Sequence, residues 1–316
     1  MDTNTLAQPL IEPLMKDIRD FCNQPWKRGL LFQDRTKLNK LWASLDAIEN
    51  SQLAINHYIE MPDFTVINGG YLHVYGLMQA LFVQQDALES LRIVLFGSKR
   101  FSQEEFPELI KIRNIRNDSI GHPTDRGKIN KTFHYIGRDS LNKKQFTLVS
   151  FFPTKNEAIK IENIKTLELI SIQAKQIQSI LEKTMTNLQL DFDNRKNKFK
   201  DQKLSNLIEN GFHYEFTKLY ENIEKEYPPT EGCFNIIRDA YEKIKKGIID
   251  RYFSLEAFEG INDSVTTLDY LFVRLERDLI LNKISDKIEL HVFIDALESN
   301  FKEFQKIINE IDEIFE

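Results

Sequence analysis

Apolar residues recur at helical spacing along most of this chain and switch to alternation only once. Leu10, Leu14, Ile18 and Phe21 predict a helix over residues 5–22, and Leu38, Leu41, Leu45, Ile48 and Ile55 predict another over 36–58. Residues 23–34, with Pro25 and Trp26, read as a loop between them, and Pro62 with the Gly69-Gly70 pair breaks the chain again at 61–70. The strongest helical pattern covers 71–96: Leu77, Leu81, Leu88, Leu91 and Leu95 line one face, while Gln84, Gln85, Asp86 and Glu89 mark a polar side. A turn at 97–100 leads to a shorter helix over about 102–118, which ends in the turn-rich stretch NDSIGHPTDRG.

The period then changes to two. Residues 132–136, 145–152 and 158–164 alternate as strands do, as at Phe133/Tyr135 and Thr147/Val149/Phe151, and predict a three-stranded antiparallel meander. Three short strands are marginal alone, so the meander is an insertion or a cap. From about residue 165 the pattern is helical nearly to the end. Leu167, Ala174, Leu181 and Leu188 fall seven apart, as do Ile170 and Ile177, a seam that packs within a bundle or pairs two chains. Gly211 and the stretch 227–232 interrupt it, and helices follow at 233–253, 254–281 and 285–315. The expected fold class is mainly α: a helical bundle over 1–130, a β-meander insertion over 131–164 and a long-helix C-terminal region over 165–316.

Composition adds exclusions. With 41% hydrophobic and 28% charged residues, 12 Gly and 9 Pro, the chain is neither disordered nor fibrous. No apolar run approaches the ~20 residues of a membrane span, and the N-terminus lacks a basic region leading into an apolar one. Cys22 and Cys233 have no metal-ligand spacing. A reducing cytoplasm with no membrane partner is the expected setting. The net charge of −6 argues against coating nucleic acid over the whole surface, yet it is segregated. Lys111, Arg113, Arg116, Arg126, Lys128 and Lys131 face only Asp118 and Asp125, a local +4, whereas residues 286–316 carry −6.

Conventional catalytic fingerprints are absent: no phosphate-cradling glycine loop, no nucleophile elbow and no His/Cys pair at ligand spacing. Asp191–Arg195 opens like a calcium loop but lacks the required Gly and Glu. Neither a metal nor a cofactor is expected. One constellation remains, Arg116-Asn117-Asp118-Ser119-Ile120-Gly121-His122. Arg116 is a permanent cation able to fork around phosphate oxygens, and His122 can take and give a proton near neutral pH. Together these cleave RNA without a metal: the imidazole removes the 2′-hydroxyl proton, the oxygen attacks phosphorus, and the cation stabilises the charged transition state. DNA lacks that hydroxyl. Asn117 is a candidate to orient phosphate or imidazole, and Asp118 to fix the His122 tautomer. Arg113, Arg126 and Lys128 are candidate RNA contacts, as are the bases at 195–203.

A polar residue after the Arg, a position at the end of a helix that follows a long amphipathic one, and a local positive charge together resemble the HEPN superfamily. Its members are all-α ribonucleases and RNA-associated proteins with an R-x(4–6)-H signature. The resemblance covers about residues 36–130. It implies a helical homodimer in which two Arg–His motifs form one composite, metal-independent ribonuclease site, since one His does not easily serve as both base and acid. It implies a toxin or antiviral defence role, with an antitoxin, a sensor or a phage-derived trigger as partner. Thr124 stands where some toxin subfamilies carry a Tyr that an adenylylating antitoxin modifies, a departure from that subfamily. Beside the nuclease stand two other readings: a non-catalytic adaptor binding RNA or protein, and a sensor whose meander or C-terminal helices restrain the nuclease.

Overall fold

Two prolines begin helices, one of them in a stretch that reads as a loop in the sequence. Pro25 opens a helix inside the stretch expected as a loop, because proline's fixed φ suits the first helical turn, where its missing N–H has no partner to lose. Trp26, with it, is buried and packs against Phe21 and Phe192. Pro107 likewise starts the helix expected from 102, five residues later than periodicity alone suggests.

The computed structural model describes residues 11–32, 34–124, 126–127, 131–153, 159–225, 231–257, 259–279 and 286–316. Among them are ten α-helices: α1 (Ile11–Cys22), α2 (Pro25–Phe32), α3 (Arg35–Glu60), α4 (Gly70–Phe96), α5 (Pro107–Arg116), α6 (Thr166–Phe199), α7 (His213–Lys225), α8 (Glu231–Tyr252), α9 (Glu259–Leu279) and α10 (Lys287–Phe315). One antiparallel sheet, in the order β1-β2-β3, is formed by β1 (Phe133–Gly137), β2 (Gln145–Phe151) and β3 (Ile159–Lys165). The mainly helical class with a small meander and long C-terminal helices is as expected, and the strands match to within a residue. Residues 5–10 of the first expected helix lie outside the described residues.

The chain divides into two units, residues 1–20 with 36–187 and residues 21–35 with 188–316. This differs from the three segments expected. The meander is part of the first unit, because Ile136, Leu141, Phe146, Leu148 and Ile164 share one apolar core with Ile55, Phe64, Val74, Leu77 and Leu81. The loop between β1 and β2 is also pinned to the α3–α4 connection. Tyr58 donates to the Lys143 carbonyl at 2.9 Å, the Lys143 ammonium reaches the Met61 carbonyl, and Gly70 lies so close to Thr65 and Leu141 that a Cβ would meet Leu141 Cδ2 at 2.3 Å. The seam of α6 is buried at Ile170, Ile177, Leu181 and Leu188, so it packs within the chain.

The second unit is an aromatic-rich bundle. Tyr241 of α8 stacks on Phe272 of α9 at 4.8 Å and meets Phe304 of α10 at 5.9 Å, and Asp312 accepts from the backbone N–H groups of Leu204 and Ser205. Arg195, considered above as an RNA contact, lies 3.8 Å over Phe253 and donates to the carbonyls of Asp250 and Arg251.

The expected polar side of α4 is the main correction. Gln84 and Gln85 are 1% and 0% exposed, and Glu89 is buried as well. Periodicity assigned them to solvent, but this stretch of α4 is enclosed, and each amide is satisfied by another amide. Gln84 donates to Gln52 of α3 at 2.8 Å, Gln173 of α6 donates to Gln84 at 2.9 Å and to the Leu81 carbonyl at 3.0 Å, and Gln85 donates to Gln173 at 2.8 Å. Arg113 of α5 closes the chain by donating to Gln85 at 3.3 Å. Gln173→Leu is expected to orphan the Gln85 amide and the Gln84 carbonyl, at about 1–3 kcal/mol for each buried group left unpaired. Urea unfolding followed by circular dichroism checks this; an unchanged midpoint would show the relay to be dispensable.

Candidate functional site

The last turn of α5 widens where the motif begins. Asn117–Gly121 forms a π-helical turn, closed by the His122 N–H donating to the Asn117 carbonyl at 2.8 Å. Such single wide turns insert one extra residue into a helix and recur at functional sites. Gly121 is the residue that makes this one useful. Its missing side chain leaves the space where the Arg116 guanidinium lies: a Cβ there would sit 2.5 Å from Arg116 Nη1 and 3.2 Å from Asn117 Oδ1.

Four groups fix that guanidinium. Arg116 Nη1 donates to Asn117 Oδ1 at 3.0 Å, Nη2 donates to Gln79 Oε1 at 2.8 Å, and the cation lies 4.2 Å over the Phe82 ring, with Gly121 beneath it. Each terminal nitrogen carries a second N–H beyond these bonds. A cation on an aromatic face, held at its ends and partly desolvated, is preorganised for an anion at modest entropic cost. His122 follows directly after Gly121. Its backbone leaves the helix at φ −138° and ψ 53°, and its side chain is exposed, with no hydrogen bond or ion pair among the described residues. The structure therefore brings Arg116 and Asn117 together at Gly121, and His122 is the next residue of the chain.

Asp118 is turned elsewhere, and its expected role on His122 is corrected. The wide turn carries its carboxylate to an ion pair with Arg126, and 3.4 Å from Nε2 of the buried His134. It also lines a cleft of about 720 Å³ with Asn114, Lys111 and Asn163, a cleft to which neither Arg116 nor His122 contributes. Arg126 additionally donates to Asn114 at 2.9 Å. Arg113 pairs with Asp86 at 2.7 Å and reaches Gln85, so both arginines expected to contact RNA are engaged within the fold. Lys128 lies outside the described residues.

The sequence reading missed Gln79 and Phe82, and it gave Gly121 only as part of the turn after the helix. A signal existed for the first two: Gln79 and Phe82 stand three apart, on the α4 face that the leucine stripe leaves free. His134 bonds Ser150 at 2.8 Å and Thr132 at 3.0 Å, and its N–H donates to the Pro123 carbonyl at 2.7 Å, tying β1 to the residue after His122.

Among the described residues no three His, Cys, Asp or Glu side chains gather closely enough to hold a metal, and no helix is long and apolar enough to cross a membrane. Comparison with family models, curated proteins and solved structures finds no match for this chain. The resemblance to HEPN proteins therefore rests on the motif and its setting.

Burial, and after it the charge of Arg126, holds the His134 imidazole below its ordinary value of 6.5, with the Asp118 carboxylate on its other side. The unfolded chain then binds this proton more readily than the folded one, so the contribution of His134 to stability is complete above pH 6.5 and is lost as pH falls below it. Between neutral and mildly acidic pH the denaturant midpoint of wild type should fall further than that of His134→Gln. Equal acid sensitivity would refute the assignment.

Proposed function

We propose that the chain is a metal-independent endoribonuclease of HEPN type that works as a homodimer. The observation that carries this reading is the folding of the Arg116 guanidinium over Gly121, which seats a preorganised cation against the residue that precedes the exposed His122. In the proposed reaction the His122 imidazole takes the proton of a ribose 2′-hydroxyl. The freed oxygen attacks the adjacent phosphorus, the bond to the 5′-oxygen breaks, and that oxygen receives a proton from the second copy's histidine. The products are a 2′,3′-cyclic phosphate and a 5′-hydroxyl. Arg116 stabilises the extra negative charge on the non-bridging oxygens, and Asn117 acts by holding Nη1. A toxin or defence role, restrained by an antitoxin or released by a trigger, fits a nuclease of this kind.

The dimer arm of the proposal is supported by the exposed stripe of α4. Leu72 is 75% and Tyr75 44% exposed, Gly76 follows with open space before it, and the stripe runs into Gln79, the residue that anchors Arg116. A second copy covering this stripe would bring its own motif beside the first.

Arg116→Ala and His122→Ala should each lower cleavage of total RNA by at least about a hundredfold, with EDTA without effect and cyclic phosphate on the wild-type products. Cleavage that survives both substitutions would remove the assigned site. Gly121→Ala should leave the unfolding midpoint nearly unchanged yet reduce cleavage at least about tenfold, because the methyl group displaces the guanidinium from its seat. Leu72→Glu should convert the dimer to monomer in a mass measurement and abolish cleavage with it; an active monomer would reject the composite site.

A further inference from the structure

An antiparallel sheet with one face on the core ordinarily turns polar residues to water on the other. This one does not. Its inner face carries Ile136, Phe146, Leu148 and Ile164 into the core of the first unit. Its outer face carries Phe133 and Tyr135 from β1, Val149 and Phe151 from β2, and Ile159 and Ile161 from β3, in register: Phe133 opposite Phe151 opposite Ile159, and Tyr135 opposite Val149 opposite Ile161. Only Val149, the central residue, is covered. Tyr135 and Ile161 remain 51% and 69% exposed, and Phe133 and Ile159 are exposed as well. The Tyr135 and Phe151 rings lie nearly parallel, 28° apart with centroids at 5.9 Å. A contiguous apolar face of this kind marks a binding surface.

Charge selects the occupant. Residues 126–165 carry nine Lys and Arg against three Asp and Glu, in a chain whose net charge is −6. A second copy docked on this face would bring two basic segments together, which is repulsive; an anionic polymer would not be repelled. Exposed aromatic rings on a segment rich in Lys and Arg suit the bases and phosphates of an unpaired strand, since every base has a face to stack and every nucleotide a charge to neutralise. The β1 edge of the sheet is also tied to the chain just after the motif. His134, between Phe133 and Tyr135, donates its N–H to the carbonyl of Pro123, the residue after His122.

We propose that the outer face of the meander is a stacking platform for single-stranded RNA, on which nucleotides flanking the scissile bond rest against Phe133, Tyr135 and Phe151. The ligand class rests on the nuclease reading; the surface itself does not. Exposed Arg138, directly after β1, is placed to meet the phosphate backbone.

The test is fluorescence anisotropy of a labelled single-stranded oligouridylate with the full chain, in a His122→Ala background so that the probe stays intact. Tyr135→Ala should weaken binding about tenfold, Tyr135→Leu nearly as much, and Tyr135→Phe little, because stacking needs the ring and not merely apolar area. Unchanged affinity in both Tyr135→Ala and Phe133→Ala overturns the platform, as does full affinity in Tyr135→Leu. A fall from dimer to monomer in Ile161→Glu would mean that the face is a protein interface, which also overturns it. The two readings fail separately. Loss of binding on Tyr135→Ala in a chain that never cleaves RNA leaves the platform standing without the nuclease. Cleavage that needs Arg116 but ignores Tyr135, with unchanged binding, leaves the nuclease without the platform.

Discussion

The first unit hangs on a row of buried amides. Gln52, Gln84, Gln173 and Gln85 connect α3, α4 and α6, and Arg113 extends the row to α5. Apolar packing alone is non-directional and would let helices slide past one another at little cost. A chain of amides in which each donor has one acceptor admits a single register, because a shift of one turn would leave several polar groups buried and unpaired. Arg113 lies one turn before Arg116, and both guanidinium groups rest on Phe82 of α4. The register that satisfies the glutamines is therefore the register that places the motif.

From that placement the rest of the candidate site follows by local chemistry. α5 arrives with its end fixed, the π-helical turn supplies an extra residue, and the bare Cα of Gly121 gives the guanidinium somewhere to lie. Asp118, Arg126 and His134 then form a separate cluster that joins the turn to β1. The two sets of charges are thus distinct: Asp118, Arg126 and His134 pair with one another, whereas Arg116 is held by Asn117, Gln79 and Phe82.

Much of this was legible in the sequence where the signal is periodic. Alternation at Phe133/Tyr135 and Thr147/Val149/Phe151 located the strands, and spacing located α3 and α4, because both patterns report which side of an element is buried. Pro25 misled, since proline disfavours a helix interior but favours its first turn. Gln84 and Gln85 misled for a different reason: a polar residue satisfied by a partner on another helix looks, in one dimension, like a polar residue satisfied by water. Arg116 and His122 were recognisable by type and spacing. Their setting was not, because Gln79 and Phe82 reach Arg116 only through tertiary packing. Asp118 was assigned by adjacency in sequence, which the wide turn overrides.

The wide turn also makes the motif's spacing a discrete quantity. A π-helical turn takes one residue more than an ordinary turn and absorbs it locally, so the segments on either side keep their directions. Removing one residue between Arg116 and His122 would restore an ordinary ladder and take away the wide turn in which Gly121 makes room for the guanidinium. The bundle would persist, and the cation would lose its seat.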